Sequence, residues 1–166
     1  MILPFSTQLN GKPTYFVEKI QAGLVQEQRF KELNILDFEP ENFDFDYFLN
    51  CIPKIHTIRE DKNDRWKAGT KIDFFINCRQ PTMFRFAPVL PVVSVQEVFM
   101  TYYHSDIIQI SVGGRELFSY IERTEFAIND GFDSWEDFFN YFYPKIKASP
   151  QGVYKPKLIH WTDLRY

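Results

Sequence analysis

Two cysteines, Cys51 and Cys78, are all that this 166-residue chain contains. They have neither the spacing of a zinc site nor the density of a disulfide-stapled scaffold, so reduced, partly buried thiols are expected. Three histidines without an H-x-x-x-H pattern argue against a metal centre as well. No glycine-rich phosphate loop is present, and Gly113-Gly114 fits a hairpin turn better than a nucleotide cradle. No apolar run approaches a membrane span, and Met1 to Phe5 lacks the long apolar core of a secretory leader. The expectation is a cytoplasmic chain with no membrane contact, no metal and no cofactor.

Charge of one sign is also lacking. Nineteen basic and 22 acidic residues give a net charge of -3, which disfavours indiscriminate binding to long nucleic acid. Positive charge is nevertheless concentrated locally: six basic and three acidic residues lie between Lys54 and Lys71. Lys145, Lys147, Lys155 and Lys157 form a second basic group. Aromatic residues are abundant, with 18 Phe and 9 Tyr, enough ring surface for a packed core. The length suits one domain rather than two.

Along the chain, Asn10-Gly11-Lys12-Pro13 signals a turn, and Phe16, Val17, Ile20 and Leu24 can share a helix face capped by Thr14. Residues 26 to 34 are polar, a surface helix or loop. The ring- and acid-rich segment 35 to 52 reads as an anchored irregular connection with a helical turn at Asp46 to Asn50. Strands are predicted at Lys71 to Asn77, Met83 to Ala87, Val92 to Tyr102, Ile107 to Val112, Arg115 to Tyr120 and Lys157 to Thr162. A turn is expected at Tyr103 to Asp106. A helix is predicted at Glu122 to Asn129. A second, capped by Ser134 with Asp137 at its third position, is expected to end near Pro144. Several strands with local connections predict a curved antiparallel sheet or small barrel.

The chemistry-bearing stretch is Pro53-Lys54-Ile55-His56-Thr57-Ile58-Arg59, followed by a polar loop to Gly69. Lys54 can hold a phosphate, or act as base or nucleophile if desolvated. Thr57 can hydrogen-bond a base or carbonyl, and Arg59 can clamp a phosphate or pair with an internal acid. His56, Arg65 and Lys67 extend the polar wall, and Trp66 is a candidate to stack on a base or to fold back onto the core. His104 is a further cleft candidate. Lys54 and Thr57 face opposite sides of a regular strand, so a joint site requires a bend. Asp130, beside Gly131, is either a site acid or a helix-ending turn, with Glu125 an alternative acid.

Lys54-x-x-Thr57-x-Arg59 with Gly69, together with Ala127 to Phe132 and Ser134 to Phe138, resembles the ASCH domain family over roughly residues 50 to 143. The resemblance implies one α+β domain over residues 1–166, a small PUA-like antiparallel β-barrel with flanking helices, the extension 1–50 lying outside the match. It implies binding of RNA or a small nucleoside or nucleotide in a basic and polar cleft. An alternative is metal-independent hydrolysis of an acylated cytosine or similar amide, with Lys54, Thr57 and Asp130 catalytic. Small amidohydrolases of the family use a glutamate at the third position, and Asp130 is one methylene shorter. A third reading is a protein-interaction module built on the aromatic segment 35 to 52, its partner unspecified.

Overall fold

A computed structural model describes residues 1–27, 35–102 and 107–166. The polar segment 28–34, the predicted turn at 103–106 and His104 lie outside the described residues. The chain opens with strands β1 (Ile2–Phe5), β2 (Gln8–Leu9) and β3 (Lys12–Pro13), then helices α1 (Phe16–Gln26) and α2 (Phe45–Asn50). Next come β4 (His56–Arg59), β5 (Lys71–Ile76), β6 (Phe84–Arg85), β7 (Leu90–Pro91), β8 (Ser94–Tyr102), β9 (Ile108–Val112) and β10 (Arg115–Glu116). Helices α3 (Tyr120–Asn129) and α4 (Trp135–Ala148) precede β11 (Val153–Tyr154) and β12 (Lys157–His160).

These strands build two main sheets and one short hairpin. One sheet has the order β1-β5-β6, with β7 also on β5; the other runs β10-β9-β8-β12-β4, with β11 on β8. The segment from Leu90 to Tyr102 passes from one to the other at a single peptide. Val92 N–H bonds Thr70 in the first sheet, and Val93 N–H bonds His160 in the second. Strand β12 lies between β8 and the edge strand β4, and its alternation divides the interior. Ile159 belongs to a core with Phe5, Ile20, Leu24, Phe74, Phe86 and Trp161, whereas Leu158 faces a core with Met100, Ile110, Phe126, Phe138 and Phe142.

The expected β-barrel is not formed. No sheet closes on itself, and the architecture is mixed α+β; β1 pairs with β5 in parallel, so the strands are not wholly antiparallel either. The PUA-like barrel implied by the resemblance is therefore corrected to two open sheets. The reason lies at the edges. Closure would need β4 to ladder with another strand, but the Ile58 N–H is already taken by the Asp130 carboxylate. Between β4 and β1 the contact comes from a side chain: Arg59 donates to the Pro4 carbonyl at 2.7 Å and stacks 4.9 Å from the Phe5 ring centre.

Other local readings hold or shift for identifiable reasons. Gly113 and Gly114, both at positive φ, join β9 to β10 as the two-residue hairpin that their sequence predicts. Thr14 does not stand at the α1 cap position; Tyr15 does, with φ 51°, while the Thr14 hydroxyl donates to the Ser6 carbonyl. Helix α4 runs through Pro144 rather than ending there. Phe138, Phe142 and Ile146 lie one turn apart and are buried, and continuing the apolar face offsets the bond that proline removes.

Replacing Arg59 with Ala removes the charged hydrogen bond that joins β4 to β1. A loss of about 2 kcal/mol in unfolding free energy is expected by urea denaturation, with the two-state transition retained.

Candidate functional site

The helix α3 ends in a turn dictated by Asn129-Asp130-Gly131-Phe132. Phe132 N–H bonds the Ala127 carbonyl and Gly131 N–H bonds that of Ile128, a Schellman cap that requires positive φ at Gly131, here +90°. The same turn lies along the free edge of β4, where Ile55 N–H bonds the Asn129 carbonyl and Ile58 N–H bonds Asp130 Oδ1 at 3.0 Å. A helix terminus thus supplies the acceptors that another strand would otherwise provide.

Lys54 precedes β4, tied down by its own N–H to the Lys19 carbonyl. Its ammonium donates to Asp130 Oδ1 at 2.9 Å and to the Asp130 backbone carbonyl. Both side chains are buried, with Lys54 only 1% exposed. His56 brings Nδ1 to 3.6 Å from the same Oδ1. Burial lowers the Lys54 pKa from its ordinary value to about 8, and the Asp130 charge restores only part of the loss. For Asp130, burial acts to raise the pKa, but Lys54 and His56 outweigh it and hold the carboxyl below the usual range. Burial lowers His56 too, so its ring is neutral near pH 7.

The remaining predicted residues are distributed around this pair rather than gathered on it. Thr57 is buried on the opposite face of β4 from His56, beside Ile159. The Lys54 ammonium bonds go to Asp130 alone, not to Thr57. Arg59 is engaged with Pro4 and Phe5. Trp66 belongs to the first core, whereas Arg65 and Lys67 on either side are exposed and lie near Asp61 and Asp64. Lys157 of the second basic group pairs with Asp64 and Glu97. Lys54, His56 and Asp130 converge, and the basic wall does not. Among the described residues no group of three or more His, Cys, Asp or Glu is arranged to hold a metal ion, and no helix is long and apolar enough to cross a membrane.

Two side chains that sequence reasoning passed over complete the site. Tyr166 places its hydroxyl 2.8 Å from His56 Nε2 and 2.9 Å from Asn129 Nδ2. Nothing in its sequence position, 110 residues from His56, signals that contact. Phe16 was read as a helix-face residue only. Its ring lies 4.9 Å from the Lys54 nitrogen and also lines an adjoining cavity. The packing here is tight. A Cβ on Gly131 would meet Lys54 Cδ at 2.8 Å and Phe16 Cε1 at 2.9 Å.

That cavity has a volume of about 270 Å³ and is lined by Phe16, Gly131, Phe132, Asp133, Asp137 and Tyr141, among others. Its lining combines the rings of Phe16, Phe132 and Tyr141 with polar side chains that include two carboxylates. A larger open groove of about 970 Å³ shares Pro13, Thr14 and Phe16 with it, but is bordered by Glu18, Glu39, Glu41 and Asp44. The smaller cavity, in contact with the groups that enclose Lys54, is the candidate site.

Comparison of the chain with protein-family models, with curated proteins and with solved structures returns no match.

Two outcomes follow from this geometry. Gly131→Ala places a methyl group against Lys54 at a backbone angle unfavourable to alanine, and a loss of about 2–4 kcal/mol is expected by denaturant titration. Lys54 binds its proton more weakly when folded than when unfolded. Its contribution to stability therefore rises with pH, starting near the folded value of about 8. Urea unfolding at pH 7.5, 8.5 and 9.5 is expected to carry this rising contribution in the native protein and to lack it in Lys54→Met.

Proposed function

We propose that this chain binds a modified nucleoside in the cavity beside Phe16 and Gly131. The observation that carries the reading is the juxtaposition of a ring-walled cavity of about 270 Å³ with the buried Lys54–Asp130 pair. Phe16, Phe132 and Tyr141 offer surfaces on which a base can stack. Asp133, Asp137 and Asn140 offer acceptors for an exocyclic amine. Lys12 pairs with Asp137 and Lys19 with Asp133, so both lining carboxylates are met by a lysine. The wall carries no surplus of positive charge, which favours an uncharged base and sugar over a phosphate chain. A nucleoside is thus a better fit than an RNA strand. The resemblance of the Lys54-to-Gly69 segment to ASCH domains supports the same class of ligand.

A second reading, hydrolysis of an acylated cytosine, is favoured by the Lys54 amine. With its pKa lowered by burial to about 8, a substantial fraction is neutral near physiological pH, as a base or nucleophile requires. In this chemistry the neutral Lys54 amine would take a proton from a water whose oxygen attacks the acyl carbonyl. The acyl C–N bond then breaks, the proton passes to the departing cytosine amine and a carboxylic acid is released, with the Phe16 ring moved aside to admit the substrate. Asp130 would hold the amine in place.

Calorimetric titration with cytidine and N4-acetylcytidine tests both readings. Binding of at least one nucleoside is expected, weakened about tenfold or more by Tyr141→Ala through loss of a stacking ring. Changing salt from 50 to 200 mM should leave the affinity nearly constant, because no phosphate is neutralised. Chromatographic detection of cytidine from N4-acetylcytidine, lost in Lys54→Ala, would favour hydrolysis. Absence of binding by either nucleoside at millimolar concentration would overturn the proposal.

A further inference from the structure

The hydrogen-bond directions around Tyr166 can be worked out from the groups themselves. Asn129 Nδ2 is a donor 2.9 Å from the Tyr166 oxygen, so that oxygen accepts. The single phenolic proton is then left for His56 Nε2, 2.8 Å away. A neutral imidazole that accepts at Nε2 carries its proton on Nδ1, the nitrogen 3.6 Å from Asp130 Oδ1. An Nε2–H tautomer donating to the Tyr166 oxygen, with the Asn129 amide as it stands or reversed, would turn a bare Nδ1 lone pair toward a buried carboxylate. That arrangement is repulsive, so the carboxylate at one end and the amide at the other select the same order.

We propose that Tyr166 and Asn129 are positioning residues for the Lys54–Asp130 pair: acting through His56, they turn the N–H end of the imidazole dipole toward Asp130 Oδ1, 3.6 Å away and beyond hydrogen-bond reach, and so favour the ionised carboxylate that holds Lys54. This rests on the reading of the adjoining cavity as a nucleoside site for any functional consequence, whereas the proton order itself does not depend on a ligand. Three elements contribute, β4 through His56, the end of α3 through Asn129 and Asp130, and the segment after β12 through Tyr166. The charged and titratable groups around the His56 ring are Asp130, Lys54, Tyr166 and His160. The His160 ring centre lies 5.5 Å away, and its two nitrogens have no hydrogen-bond partner. His160 therefore does not compete for the His56 nitrogens. The Tyr166 ring also packs against Phe126 at 5.1 Å, so Tyr166→Phe removes the hydroxyl and keeps the packing surface.

The test is a long-range proton–nitrogen correlation spectrum of the imidazoles in the nitrogen-15-labelled protein, for wild type, Tyr166→Phe and Asn129→Ala. Wild-type His56 is expected to carry its proton on Nδ1, with Nε2 in the range of an unprotonated, hydrogen-bonded nitrogen. Asp130 continues to favour Nδ1–H, so Tyr166→Phe is expected to move His56 Nε2 into the range of a free, unprotonated nitrogen, and Asn129→Ala, which frees the hydroxyl to accept, to raise the Nε2–H fraction. A purely structural role for the tyrosine ring would leave the Nε2 shift of Tyr166→Phe unchanged. A wild-type proton on Nε2, or His56 nitrogen shifts indifferent to both substitutions, overturns the proposal, and the wild-type spectrum decides even if a variant fails to fold. Nucleoside affinity is expected to fall about two- to tenfold in Tyr166→Phe, the worth of one hydrogen bond. If wild type binds no nucleoside, the functional reading fails while the spectra still decide the proton order.

Discussion

Asp130 Oδ1 accepts from the Ile58 N–H and the Lys54 ammonium and faces His56, all in one buried place at the open edge of β4. Each group there would be costly to bury alone: an edge N–H without an acceptor, a lysine without a counter-charge, a carboxylate without donors. Met together, they satisfy one another. The geometry of the sheet follows from this, because a strand edge already occupied by a side chain does not ladder with another strand. The second sheet therefore stops at β4, and Arg59 joins it to β1 through the Pro4 carbonyl and the Phe5 ring.

The same contact accounts for the shape of the candidate site. Gly131 must follow Asp130 both to close the helix with positive φ and to leave room for Lys54 and Phe16. The absence of a side chain there brings the aromatic wall of the cavity directly against the lysine stem. An ammonium behind a phenyl ring, with a carboxylate on its other side, is held in a low-dielectric environment in which its protonation responds to small changes of structure. The charges at Arg65, Lys67 and Lys157 are instead dispersed over the surface and paired with acids, away from the Lys54–Asp130 contact.

The residues differ in how much of their role was legible. Gly113-Gly114, Ser134 with Asp137, and the Asn129-to-Phe132 turn carry local chemistry strong enough to read directly, since a hairpin or a cap depends on a few neighbouring dihedrals and hydrogen bonds. Lys54 and Asp130 were paired as candidates through a resemblance, and the structure brings them into contact at 2.9 Å. Trp66 shows the limit: a tryptophan between two charged residues fits a ligand wall or a core equally well, and only its neighbours decide for the core. Pro144 misled for a related reason, because the local cost of proline is visible in sequence while the compensating burial of Ile146 is not.

The sequence alone determined the strand and helix segments with clear periodicity, the turns with glycine in demanding positions, and a local concentration of basic residues from Lys54 to Lys71. These depend on interactions a few residues long. The tertiary structure decided that the sheets stay open, that the basic stretch separates into a buried lysine and an exposed loop, and that Tyr166 reaches His56. Those outcomes depend on contacts between residues as many as 110 positions apart. Their energies come from desolvation and shared hydrogen bonds that exist only once both partners are buried in the same place.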